Sequence, residues 1–138
     1  MADKEQLITG LNDQLNREVT TFLRYILQAA DIKGAEWNPV REMYLSEVTV
    51  EVGHAQYLAN QIVMLGGTPQ LEPDLTPPPS DVREMLKRDA EQERKDVEHY
   101  TRLAGLAENE GYVALKLQLE EQAADEDRHG QEMIRLLG

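Results

Sequence analysis

The sequence predicts an all-α fold: a four-helix bundle built from two antiparallel helix hairpins joined by a long crossover loop. Three observations carry this. Apolar residues recur at steps of three and four over four long segments, the period of a helix with one buried face. Short breaks at Gly34 and Gly111 divide the segments into two pairs, and short connections imply antiparallel neighbours. A Pro-rich stretch of thirteen residues, Gly67 to Pro79, separates the pairs. Extended chain of that length reaches roughly 40 Å. A segment of 27 residues such as Pro39 to Leu65 is also about 40 Å long as a helix. The crossover can therefore travel the whole bundle, which places the second and third helices parallel.

The first helix is expected from about Lys4 to Ile32, with the stripe Leu7, Leu11, Leu15, Phe22, Tyr25 and Ala29. Glu18 stands in this stripe where another apolar residue would continue it. The turn Trp37-Asn38-Pro39 opens the second helix, with Asn38 as the expected N-cap and Pro39 in the first turn. That helix stops at Gly66-Gly67, and its inward stripe reads Val40, Tyr44, Glu47, Glu51, His54, Leu58, Ile62 and Leu65. The third helix begins near Ser80-Asp81, after three prolines, with the stripe Val82, Leu86, Asp89, Glu93, Val97, Tyr100, Leu103 and Ala107. The fourth runs from about Tyr112 to Leu137 and presents Leu115, Leu119, Gln122, Glu126, His129, Met133 and Leu136.

Length and composition bound the rest. The whole chain, 1–138, reads as one domain. Cys is absent, which excludes disulfides, a zinc ribbon and an iron–sulfur cluster and is compatible with a reducing cytoplasm. The polar N-terminus has no signal-peptide pattern, and no apolar run is long enough to span a membrane. A net charge of −12 without a basic arm argues against a nucleic-acid partner. An acidic surface attracts divalent cations.

The chemistry lies in a repeated spacing. Glu18 precedes Glu51 by 33 residues, and Glu93 precedes Glu126 by the same 33. Each second Glu is followed three positions later by a histidine, His54 and His129, which are two of only three histidines in the chain. Positions i and i+3 share one face of a helix, so each Glu-x-x-His can grip one metal ion. Two such grips and two lone carboxylates make a six-ligand site for a pair of ions: Glu18, Glu51, His54, Glu93, Glu126 and His129. All six fall on core-facing stripes, and acids are rarely buried unless paired or metal-bound. The offset of 75 residues from Glu18 to Glu93 relates the hairpins by a pseudo-twofold.

With these residues the chain resembles the ferritin-like superfamily, and within it the bacterioferritins, over nearly its whole length. Leu15-Asn16-Arg17-Glu18, Tyr25, Glu51-Val52-Gly53-His54 and the register from Asp81 through Met85-Leu86 to Glu93 carry the likeness. The resemblance implies a pair of irons, with manganese or zinc as other metals suited to such ligands. It implies that Glu18 and His54 ligate one ion, Glu93 and His129 the other, and that Glu51 and Glu126 bridge them. Tyr25 is implied as an outer-sphere partner or electron donor. The implied activity is ferroxidase: oxidation of ferrous iron by O2 or peroxide, for iron homeostasis. The implied assembly is a homo-oligomer, a dimer at least. Two departures shape the expectation. Val52 stands where bacterioferritins carry a haem-ligating Met, so no such haem is expected. The sequence stops at Gly138 without the short fifth helix of cage-forming ferritins, which argues against the large storage cage.

Other readings of the scaffold are a rubrerythrin- or catalase-like peroxidase, another di-metal oxidase, or a non-enzymatic metal-bearing assembly protein. The DNA-protecting miniferritins fit less well, because they build sites between subunits. Asp96-x-x-His99 is read as an exposed polar face, Glu47 as a supporting residue or access path, and Trp37 as a packing or subunit contact.

Overall fold

The computed structural model describes residues 2–138. Four helices dominate it: α1 (Ala2–Asp31), α2 (Asn38–Met64), α3 (Val82–Asn109) and α4 (Val113–Leu137), with one 3-10 turn at Ala35–Trp37. No strand occurs among the described residues, and no described helix is long and apolar enough to cross a membrane. This is the all-α bundle of two hairpins expected from the sequence. α1 pairs with α2 and α3 with α4, and α1 also packs against α3. Contacts between Gln14 and Asp96 and between Gln28 and Asp89 fix α1 and α3 as antiparallel. α2 and α3 are therefore parallel.

The crossover is latched to α1 by a polar ladder. Asn12 donates to Thr68 O and accepts from Gln70 N. Asn16 donates to Gln70 O and accepts from Glu72 N. Thr20 accepts from Asp74 N. Four helical residues rise about 6 Å, and two extended residues cover nearly the same distance. The i, i+4, i+8 side chains of α1 thus meet alternate residues of the crossover in register.

Helix ends follow local chemistry. Asp81 caps α3 by accepting from Glu84 N at 3.0 Å. Gly66, at φ 90°, terminates α2 in a conformation that side chains with a Cβ disfavour. Asn38 is not the cap expected of it. The 3-10 turn runs straight into α2, so Asn38 already has helical dihedrals, its N–H donates to Ala35 O, and Trp37 takes the cap position.

The apolar core is split in two. One cluster joins Leu7, Leu11 and Leu15 to Leu58, Ile62, Leu103 and Leu119. The other joins Ala29 and Ile32 to Val40, Met85, Leu86 and Met133. Trp37 packs at its edge. Between the clusters every helix turns polar residues inward. In α1 these are Gln14, Glu18, Thr21, Arg24 and Gln28, all buried, whereas the predicted stripe residue Phe22 is only half-buried. In α3, Val97 is likewise half-buried and Asp96 takes the inner position. The expectation of an exposed Asp96–His99 face is thus wrong: Asp96 is 1% exposed and pairs with Arg17 at 2.6 Å.

Candidate metal centre

The polar layer brings together all six residues marked by the repeated spacing. Glu18 comes from α1, Glu51 and His54 from α2, Glu93 from α3, and Glu126 and His129 from α4. The four carboxylates are at most 1% exposed, while His54 is buried and His129 half-buried. Their potential ligand atoms form two groups, each within 4.8 Å: Glu18, Glu51, His54 and Glu126, then Glu51, Glu93, Glu126 and His129. Glu51 and Glu126 belong to both. His54 Nδ1 lies 3.0 Å from Glu126 Oε1, and His129 Nδ1 lies 3.1 Å from Glu51 Oε1.

Buried oxygens and nitrogens without hydrogen-bond partners concentrate here. They include Glu18 Oε2, both oxygens of Glu51 and of Glu126, Glu93 Oε2, and Nδ1 of both histidines. A buried carboxylate left unpaired costs several kcal/mol, and native interiors rarely leave such atoms unsatisfied. A nearby acid shows the alternative. Asp89, equally buried, accepts from Arg24 Nε at 2.9 Å, Gln28 Nε2 at 2.8 Å and Tyr44 Oη at 2.7 Å. Asp89 is a saturated structural carboxylate. The six-residue cluster instead holds lone pairs aimed at a shared space, which fits a pair of cations.

The electrostatics agree. Burial pushes Glu93 up to about 8. Burial and the charges of Glu51 and Glu93 push Glu126 far above the usual carboxylate range. Burial also acts on Glu51, but the adjacent nitrogens of His129 and His54 hold it down at about 2. Burial opposes protonation of His54, yet Glu51 and Asp125 raise its pKa. Burial thus favours the protonated form of Glu93 and Glu126.

Two tyrosines tie the centre across the bundle. Tyr25 Oη donates to Glu93 Oε1 at 2.5 Å, and Tyr100 Oη donates to Glu18 Oε1 at 3.0 Å. Each phenol belongs to one hairpin and holds the lone carboxylate of the other. By periodicity Tyr100 is a core-stripe residue alone. Extending the 75-residue offset from Tyr25 would have found its role (25 to 100). Asp125 was also missed; it receives His54 Nε2 at 2.8 Å. Glu47, 6% exposed, leaves Oε2 unpartnered 3.9 Å from His129 Nδ1.

Comparison with known proteins places the chain in a family. Residues 8–138 match the family described as Ferritin-like domain. The chain belongs to that family. A structure of ferritin-like, diiron-carboxylate proteins from Bacillus anthracis str. Ames is 36% identical, with TM-score 0.95, over 100% of this chain and 99% of that one. The bacterial ferritin of Pseudomonas aeruginosa is 30% identical over 94 residues, which span 68% of this chain and 61% of that relative. The match to this curated relative thus covers about three fifths of its length. The bacterioferritin of Desulfovibrio desulfuricans, described with a diiron site in different catalytic states, shares the fold at TM-score 0.86 and 21% identity, over 99% of this chain and 80% of that one.

Proposed function

We propose that this ferritin-like protein is a ferroxidase that binds two ferrous ions between its four helices and oxidises them with O2 or peroxide. The observation that carries the reading is the concentration of unpartnered carboxylate oxygens and imidazole nitrogens in one buried layer. Four carboxylates balance the charge of two divalent ions, which accounts for so many acids in an apolar interior. Mixed carboxylate and imidazole donors suit iron and manganese. Anionic donors also favour the higher oxidation state.

The chain's own residues divide the work. Glu18 and His54 would hold one iron and Glu93 and His129 the other, with Glu51 and Glu126 shared between them. When bound, the iron pair supplies two electrons to the oxidant. Tyr25 and Tyr100 occupy one oxygen each of Glu93 and Glu18 and leave the second oxygen for metal. The apolar clusters on either side restrict water. Glu47 places an additional carboxylate beside His129, where iron could enter or leave. We infer assembly with further copies of the chain, the homo-oligomer that the family resemblance implies.

Aerobic addition of Fe(II) tests the reading. The expected result is rapid oxidation that saturates at two irons per chain. Oxidation no faster than in buffer, or steady turnover of peroxide without net iron oxidation, would overturn it.

A further inference from the structure

The third histidine, His99, is absent from the centre and yet connects to it. Gln14 is fully buried on α1. Its Nε2 donates to Glu18 Oε1 at 2.6 Å and to Asp96 Oδ1 at 3.2 Å. Its Oε1 lies 2.6 Å from His99 Nδ1. His99 Nε2 in turn lies 3.2 Å from Arg102 Nη2.

With Glu18 and Asp96 ionised, one assignment of hydrogens satisfies this chain. Ionised carboxylates accept and do not donate, so the amide nitrogen of Gln14 must face both acids. Its oxygen then needs a donor, which makes His99 Nδ1 the protonated ring nitrogen. His99 Nε2 is left as an acceptor, and it meets a guanidinium, which only donates. Burial and the charges of Arg102 and Arg17 push His99 down to about 4, which agrees with a neutral ring. Asp96 is kept in place by Arg17 Nε at 2.6 Å.

We propose that Gln14, oriented by His99, is a positioning residue that makes Glu18 a one-oxygen metal ligand. The inference rests on the di-metal reading above. Glu18 Oε1 is engaged by Gln14 and Tyr100, while Oε2 has no hydrogen-bond partner and lies 3.5 Å from His54 Nδ1. The carboxylate is thereby locked with one oxygen facing the metal space. The counterpart of Gln14 in the other hairpin is Asp89 (14 to 89), which is turned instead to Arg24, Gln28 and Tyr44. The device therefore serves the Glu18–His54 half alone. It also gives the Asp96-x-x-His99 pair a role: Asp96 and His99 clamp the two ends of one amide.

The test uses the full chain, freed of metal and 15N-labelled, with Zn(II) as a diamagnetic probe. At neutral pH the His99 ring is expected to be neutral and protonated on Nδ1, and both its signals and those of the Gln14 side-chain amide should shift when Zn(II) binds. Gln14→Leu leaves Tyr100 on Glu18 Oε1 but strands Asp96 and His99, and is expected to weaken Zn(II) binding at the Glu18 half by about tenfold, the low end of the usual cost of losing a supporting residue. His99→Leu should act in the same direction. His99→Asn, which keeps a donor near the Nδ1 position, should restore most of the affinity. A His99 ring protonated on Nε2 in the unmutated protein would overturn the proposal without any variant. So would Gln14→Leu and His99→Leu chains that bind Zn(II) as the unmutated protein does. If the unmutated protein bound no Zn(II) at Glu18, the di-metal reading would fall together with the proposal.

Discussion

The two halves of the centre share a frame but not its supports. Around Glu18 and His54, Gln14 and Tyr100 both donate to one carboxylate oxygen, and Asp125 holds His54 Nε2. Around Glu93 and His129 only Tyr25 donates to the carboxylate, and among the described residues nothing bonds His129 Nε2. The offset that relates the hairpins shows why. Asp125, beside Glu126, corresponds to Val50, beside Glu51 (50 to 125), and valine cannot hold an imidazole. His129 is also more exposed than His54, 13% against 6% by side chain. Residues duplicated by the offset therefore do not have equal surroundings. The Glu18–His54 half has more supporting hydrogen bonds and is more enclosed; the other has fewer and lies beside Glu47.

The largest test removes what the halves share. Glu51→Ala or Glu126→Ala should abolish binding of both ions and lower iron oxidation by more than about 100-fold, beyond the usual loss from a supporting residue. Glu18→Ala or Glu93→Ala should leave one ion bound. Metal stoichiometry measured by elemental analysis separates these outcomes.

Loading order sharpens the comparison. The Glu18–His54 half should fill first, and Asp125→Ala should weaken that first step by about 10–100-fold while sparing the second. Two-step Co(II) titration followed by visible absorption checks this. Equal steps in the unmutated protein would contradict the inequality of the halves.

The metal-free protein should also show a diagnostic pH dependence. Burial raises Glu47 and Glu93 to about 8 and moves Glu126 in the same direction. The folded state then binds more protons than the unfolded chain between about pH 5 and 8, so stability is present at the acid end and lost as pH rises. Glu51 and His99 have the opposite sign: the Glu51 contribution is lost only as pH falls toward about 2, and that of His99, held at about 4, offsets part of the trend below about pH 6.5. The urea midpoint of metal-free protein should fall from pH 5 to pH 8, by more than about 1 kcal/mol in stability. Metal should remove most of that slope.

The smallest contrast is between the phenols. Tyr25→Phe leaves Glu93 Oε1 without a donor, whereas Tyr100→Phe leaves Glu18 Oε1 held by Gln14. A hydrogen bond to a charged group contributes about 1.5–3 kcal/mol. The Tyr25 change should therefore weaken metal binding roughly tenfold, and the Tyr100 change by less. Isothermal titration of both variants reads the difference.

Much of this was legible in the chain because helical period and ligand spacing are local. Glu18, Glu51, Glu93 and Glu126 interrupt apolar stripes, and burial of a stripe carries its acids inward with it. What escaped was the polar layer around them. Gln14, Arg24 and Asp96 look like surface residues by type, and their burial depends on partners from another helix. Asn12, Asn16 and Thr20 are spaced for a ladder, but their partners lie in a Pro-rich crossover with no periodicity of its own. Asn38 failed as a cap for a similar reason, since the preceding 3-10 turn had no signature that outweighed Asn-Pro.

The central claim is that two ions share Glu51 and Glu126. Anomalous diffraction from crystals grown with ferrous salt under anaerobic conditions tests it most directly. Two metal peaks per chain are expected in the buried layer, both in contact with Glu51 and Glu126, one beside His54 and the other beside His129. Metal found only on surface acids, or a single ion touching neither shared carboxylate, would contradict it.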